Sequence, residues 1–299
     1  LDKNVELDNA LSAPNLHARF SPILAKFSDL RMLHRHLEMA KPLERYATKV
    51  ELPNLVAQKL TVMEMRTPLL FEQTLLGAWL ACIIGREVGL DEKELPLLYF
   101  AAVCRDLGML HIEPSLLEKP TTHLYGPEEW RTLQSHVVAS HMILKECEGI
   151  PERVLDAVIQ HHEHHDGTGY PSSYRGDEIG TMGQILCVAD TIIALRLRRF
   201  AGSGRNIRDT VGILQIESNT YRPDVLSHAM RVLSSAGVER TGFHPYETRG
   251  ELLEQLRRRA RAMVSCASML ADMPNLVPVE KKRVAPVVLT AFVARLQVT

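Results

Sequence analysis

The stretch His161-His162-Glu163-His164-His165-Asp166-Gly167-Thr168-Gly169-Tyr170-Pro171 decides how the chain is read. An apolar run ends there in paired histidines, and a glycine-rich turn closed by proline follows at once. Upstream, Pro151 suits a first helical turn, and Val154, Leu155, Val158 and Ile159 follow at helical spacing as one buried stripe. His161 lies three residues after Val158 and His162 three after Ile159, so both imidazoles extend that stripe. A buried imidazole needs hydrogen-bond partners or a metal. Two core histidines satisfied by carbonyls are one reading; an adjacent pair beside this turn favours a functional site. Asp166-Gly167 and Gly169 stop the helix, the glycines being free to take positive φ, and Pro171 fixes the exit.

The whole chain has 299 residues, 45% hydrophobic and 24% charged, with a formal net charge of −1. That is room for one large or two small cores, and the balance predicts no bulk binding to nucleic acid or to an anionic membrane. The apolar stretch Leu95 to Cys104 is about half of what a spanning helix requires, and no basic-then-apolar leader opens the sequence. No membrane span and a cytoplasmic location are therefore expected. Cys82, Cys104, Cys147, Cys187 and Cys266 form no CxxC pair and mostly sit in apolar runs, which predicts reduced core cysteines.

Prolines at 14, 22, 42 and 53 break residues 1–65 into modest helices such as those within Ile23 to Met39, with His34 and His36 on an exposed face. A longer helix runs from Pro68 to Val88 and ends at Gly89; Asp91 with Glu94 reads as a capping box. Leu95 to Leu110 is apolar enough for a buried central helix, yet it carries Arg105-Asp106, which must be paired with each other, another side chain or a metal. After a loop over 111–126, a helix from Pro127 to about Glu146 carries His136 inward, with His141 near the apolar side. A helix from about Met182 to Phe200 carries Asp190 on the stripe of Leu186, Ile193 and Leu197. Further on, Glu251 to Leu270 forms a helix whose Arg257, Arg258, Arg259 and Arg261 make a solvated face.

Four apolar helices thus each carry an ionisable residue on the buried side: Asp106, His136, His161 with His162, and Asp190. Imidazole and carboxylate are metal-ligand types that suit iron, manganese, zinc or nickel, and together they point to one shared centre.

HHExxDGxGYP is the signature of the HD-GYP family, and His161 to Pro171 resemble it at every specified position. The likeness extends from roughly Leu69 to Arg231. Ile112 to Pro120 is similar to the family's IPxxILxKP loop, and Asp190 with Ala194, Leu195 and Arg199 to its DxxxALxxxR segment. The resemblance implies an all-α HD-superfamily helical bundle with the HD-GYP domain at 66–235; residues 1–65 read as an N-terminal helical region with a packing or regulatory role, and 236–299 as a C-terminal helical extension. It implies a metal-dependent phosphodiesterase lineage acting on cyclic di-GMP, giving pGpG or GMP. It further implies that Asp106 bridges two metals, that His136, His161 and His162 complete one of them, and that Asp190 serves the other. Arg199 would hold a substrate phosphate. Gly169, Tyr170 and Pro171 would frame the substrate site and meet a protein partner.

Departures from the family pattern fall on one metal. Arg105 replaces the histidine of the HD pair, Met109 replaces a lysine, and the early histidine ligand falls on or near Gln73, with Glu72 one residue out of register. The expectation is at most one divalent metal (Fe, Mn, Zn or Ni) or none, no confident catalytic residue, and a protein that binds cyclic di-GMP, a related nucleotide or a partner with weak or no hydrolysis. A working phosphodiesterase assisted by Arg105 and a metal-free scaffold are the alternatives.

Overall fold

Pro68–Val88 organises the bundle. Its proline opens the first turn, Gly89 at φ +94° closes it, and Leu76, Trp79, Leu80, Ile83 and Ile84 are fully buried. The structure, a computed structural model, describes residues 11–119 and 125–235. Among them every regular element is helical: α1 (Ala13–Ala25), α2 (Ser28–His36), α3 (Ala40–Thr48), α4 (Asn54–Arg66), α5 (Pro68–Val88), α6 (Glu94–Cys104), α7 (Pro114–Leu117), α8 (Pro127–Lys145), α9 (Glu152–Gln160), α10 (Thr181–Ala194), α11 (Thr210–Ile216) and α12 (Pro223–Ser235). Two compact units divide the chain, Leu1–Leu117 with Pro127–Thr241 and Glu118–Gly126 with Gly242–Thr299; all these helices belong to the first.

Helix α5 packs against α4, α6, α10 and α12, while α9 lies against α6, α8 and α10. The core is continuous from Leu16, Leu30 and Leu43 through Trp79 and Val103 to Val158, Ile185 and Leu233. Each fully buried large apolar side chain contributes roughly 1.5–3 kcal/mol. The N-terminal helices are also tied in by charge. Buried Asp29 on α2 accepts Arg196 Nε at 2.6 Å, Arg196 Nη2 at 2.9 Å and the Ile207 backbone N–H at 2.8 Å.

Several expectations are met. Asp91 Oδ1 accepts the Glu94 N–H at 2.8 Å and Glu94 Oε2 accepts the Asp91 N–H at 3.3 Å, completing the capping box. Cys82, Cys104 and Cys187 are buried free thiols and Cys147 is a half-buried one; Cys266 and the helix expected over Glu251 to Leu270 lie outside the described residues.

Others need correction. The helix expected over Leu95 to Leu110 stops at Cys104 and resumes as a 3-10 turn, Leu107–His111; the segment expected as loop contains the short α7. The helix expected to reach Phe200 changes at Leu195 into a π-helical turn, Leu195–Arg199. His34 is half-buried, its ring 5.7 Å from Phe20 and 6.3 Å from Trp79, although His36 is exposed as expected. Pro68–Val88 is, by length and composition, apolar enough to cross a membrane, contrary to the estimate from Leu95 to Cys104. It is a core helix all the same, with 83% of its most apolar window buried inside the protein.

Candidate metal centre

The two breaks in helical regularity sit beside the ionisable residues. Asp106 falls in the gap between α6 and the 3-10 turn, and that turn presses directly on α8: a Cβ at Gly108 would overlap the His136 carbonyl oxygen, so glycine alone fits. Gly108 N–H also donates to Ser140 Oγ at 2.8 Å. His136 rises from the middle of α8, His161 and His162 follow the last turn of α9, and Asp190 stands one turn before the end of α10. Asp106, His136, His161 and Asp190 are all buried, and His162 is half-buried.

In one half of the centre the imidazoles are aimed by the backbone. His136 Nδ1 meets the Leu133 carbonyl at 2.5 Å and His161 Nδ1 meets the Val158 carbonyl at 2.7 Å. Each carbonyl accepts the Nδ1 proton, which leaves Nε2 as the lone-pair nitrogen turned inward. Those two Nε2 atoms are 3.4 Å apart, and they lie 3.5 Å and 3.8 Å from Asp106 Oδ1. One ligating nitrogen from each of His136, His161 and His162 falls within 4.8 Å of the others. Burial, with His136 close by, pushes His161 down to about 3, and burial with His161 and His136 close by pushes His162 well below its usual value. Both are therefore neutral, the form that binds metal. Two facing lone pairs beside a carboxylate need a shared proton or a cation between them. The donor set fits one divalent ion: three imidazoles, Asp106 Oδ1, and a buried Asp106 Oδ2 that has no hydrogen bond among the described residues.

The other half already contains a cation. Arg105, 1% exposed, donates Nη2 to Asp190 Oδ1 at 2.8 Å and Nη1 to the Ala102 carbonyl at 2.7 Å; its Nε lies 3.1 Å from Asp106 Oδ2, close enough for an ion pair but misaligned for a hydrogen bond. Gln73 Nε2 donates to the same Asp190 oxygen at 3.2 Å. Space for the guanidinium comes from Gly77, one turn along α5, where a Cβ would lie 2.8 Å from Nη2 and 2.9 Å from Nη1. Burial alone raises the Asp190 carboxyl, but the charge and hydrogen bond of Arg105 hold it below the usual carboxylate range. Two carboxylates against one guanidinium leave one formal negative charge in the centre.

The Gly-Tyr-Pro turn is clamped from below. Glu163, fully buried, accepts the Ser172 N–H at 2.6 Å and the Tyr174 N–H at 3.0 Å. Gly167 takes φ +79° as expected, whereas Gly169 is needed for close approach, since a Cβ there would overlap the Glu163 and His164 backbone. Tyr170, joined to Pro171 by a cis peptide bond, stacks on His162 at 4.8 Å and meets Trp130 edge-on at 6.3 Å.

Asp106, His136, His161, His162 and Asp190 are thus brought together, with Tyr170 over them. Arg199 is set differently: burial lowers its pKa, the charges acting on it are Glu217 and Arg205, and its buried Nε has no hydrogen bond among the described residues. Glu72 pairs with Lys26, so the register of α5 puts Gln73 at the centre. Met109 lies half-buried against the core. Sequence reasoning missed Gly77 and Glu163; the second could have been suspected from a charged residue fixed between two histidine pairs.

The HD domain family matches residues 30–225, and the chain belongs to that family. Its signature and its relatives make it an HD-GYP member. A cyclic di-GMP phosphodiesterase of Thermotoga maritima is 28% identical over 156 residues, covering 52% of this chain and 42% of that one. A 3′3′-cGAMP-specific phosphodiesterase of Vibrio cholerae is 31% identical over 139 residues, covering 46% and 29%. The chain spans less than half the length of these curated relatives. A solved structure of Bd1817, an HDG"Y"P protein from Bdellovibrio bacteriovorus, aligns over 78% of this chain and 75% of that one with a TM-score of 0.48 and 15% identity.

Proposed function

We propose that the chain is a divergent HD-GYP protein of cyclic dinucleotide signalling that binds cyclic di-GMP or a protein partner, holds at most one divalent metal, and hydrolyses phosphodiesters weakly or not at all. The observation that carries this reading is the Arg105 guanidinium lying between Asp106 and Asp190. His136, His161, His162 and Asp106 would hold the ion. A divalent metal there would polarise a phosphoryl oxygen and lower the pKa of a bound water. Arg105 supplies fixed positive charge where the family pattern has ligands for a second ion. A guanidinium attracts phosphate and anchors carboxylates, but it does not acidify water as a Lewis acid does. Met109 adds no charge.

Several relatives are named as phosphodiesterases for cyclic di-GMP and others for 3′3′-cGAMP, which supports a cyclic dinucleotide as the ligand class. Tyr174, 39% exposed beside the Gly-Tyr-Pro turn, supports a partner surface there. A regulatory role for residues 1–65, a domain spanning 66–235, an extension at 236–299 and a cytoplasmic location belong to the same proposal. The test is purified protein supplied with Mn²⁺ or Fe²⁺ and cyclic di-GMP, with binding and turnover measured in parallel. Binding with turnover far below that of an intact family member is expected; turnover at an intact member's rate contradicts the reading.

The intact histidine half favours one alternative, a working phosphodiesterase in which Arg105 assists a single ion. That alternative requires measurable hydrolysis that disappears in His161→Ala and Asp106→Ala. A metal-free scaffold, the third reading, requires no bound metal under metal-replete conditions.

A further inference from the structure

We infer that Arg198, carried onto the centre by the π-helical turn and tethered through Gln73 to Asp190, is the residue that receives a phosphate of the bound dinucleotide; this rests on the ligand class proposed above. The register explains why Arg198 is there. In a regular α-helix the residue seven places after Asp190, Leu197, would share its face. A π turn takes up one more residue than an α turn, so over Leu195–Arg199 the shared face passes to the eighth place, Arg198. Leu197 turns into the core instead, 6% exposed.

The contacts follow that rotation. Arg198 Nε donates to Gln73 Oε1 at 3.2 Å, and Gln73 Nε2 donates to Asp190 Oδ1 at 3.2 Å. The amide orientation is forced, because its oxygen meets a donor and its nitrogen meets a carboxylate. Gln73 is buried while Arg198 is exposed, so the relay runs from the buried carboxylate to solvent. Among the described residues the Gln73 oxygen is the only hydrogen-bond partner of this guanidinium, which leaves Nη1 and Nη2 without a protein acceptor and open to an anion. A guanidinium held at one edge offers a planar fork that matches phosphate. Arg196 and Arg199, on either side, are engaged elsewhere: Arg196 grips Asp29, and Arg199 sits with Glu217 and Arg205.

The test is calorimetric titration of the full chain with cyclic di-GMP and, separately, 3′3′-cGAMP, comparing wild type with Arg198→Ala, Arg198→Lys and Arg199→Ala, alongside thermal melting. Arg198→Ala should weaken binding by roughly ten- to hundredfold, the loss of charge-assisted hydrogen bonds to an anion. Its melting temperature should stay within about 2 °C, as for an exposed side chain. Arg198→Lys should recover part of the affinity, which a purely structural role would not predict. Unchanged affinity in Arg198→Ala, or a larger loss in Arg199→Ala, overturns the assignment while leaving the ligand class standing. Wild-type protein that binds neither dinucleotide overturns the ligand class and this assignment with it.

Discussion

In one half of the centre three imidazoles and a carboxylate oxygen face one another with no cationic side chain between them among the described residues; in the other, a guanidinium already lies between two carboxylates. The halves share Asp106 and belong to one bundle, the histidines carried by α8 and α9 and the arginine side by α5, the end of α6 and α10. Histidines anchored through Nδ1 keep a shape suited to an ion. Gln73, Gly77 and Arg105 together fill the neighbouring place with protein, and Gly77 shows that the substitution is accommodated by packing as well as by charge.

The largest expected effect comes from removing the built-in cation. Arg105→Ala leaves Asp106 and Asp190 buried without their partner, which should cost about 3–5 kcal/mol of stability, read from the denaturant midpoint. A loss below about 1 kcal/mol, the scale of a surface ion pair, would mean that the guanidinium is not what holds that half together.

The histidine half should answer to pH instead. In chelator-treated protein His161 is pushed down to about 3, so below the ordinary histidine value of 6.5 the unfolded chain binds a proton that the folded chain refuses. Stability should rise with pH between about 3 and 6.5, by an amount on the order of a few kcal/mol, and be flat above. Depressed Asp190 acts with the same sign only below its unfolded value of 3.8. In His161→Gln the slope between 4 and 6.5 should shrink; an unchanged slope would place the titration elsewhere.

Making the two halves alike is the next test. Gln73→His, Arg105→His and Met109→Lys in one protein should raise hydrolysis of cyclic di-GMP by about a hundredfold, the scale of the charge stabilisation a second metal ion supplies. No gain would count against the alignment of the first two family helices onto α5 and α6. The smallest effect concerns packing. Gly77→Ala improves helix propensity by about 1 kcal/mol, yet it forces a methyl against a pinned guanidinium, so a net loss of about 1–2 kcal/mol is expected in a chemical melt. In an Arg105→Met background the same change should turn neutral or favourable.

Much of this was legible in residue order. The paired histidines combine helical period with turn chemistry, two independent signals at one place, and they gave the end of α9 and the clamped turn. Asp106 and Asp190 stood out because a charge in an apolar stripe demands a partner. What was not legible were the places where helical register shifts. The apolar run from Leu95 to Leu110 does not mark its own break, because composition is uniform on both sides of Arg105-Asp106. A π turn changes which carbonyl each N–H meets and leaves no residue signature, so the register that brings Arg198 to Gln73 cannot be read from residue order, while the family likeness points to Arg199. Gly77 could be understood only once the guanidinium it accommodates had been placed.

Metal stoichiometry tests the contrast between the two halves most directly. The full chain would be equilibrated with Mn²⁺, Fe²⁺, Zn²⁺ or Ni²⁺, freed of loose ions and measured by elemental analysis beside His161→Ala. One ion per chain, lost in the variant, is the predicted result. Two ions per chain would contradict a centre in which Arg105 has taken the second position, and none would contradict the histidine half as a metal site.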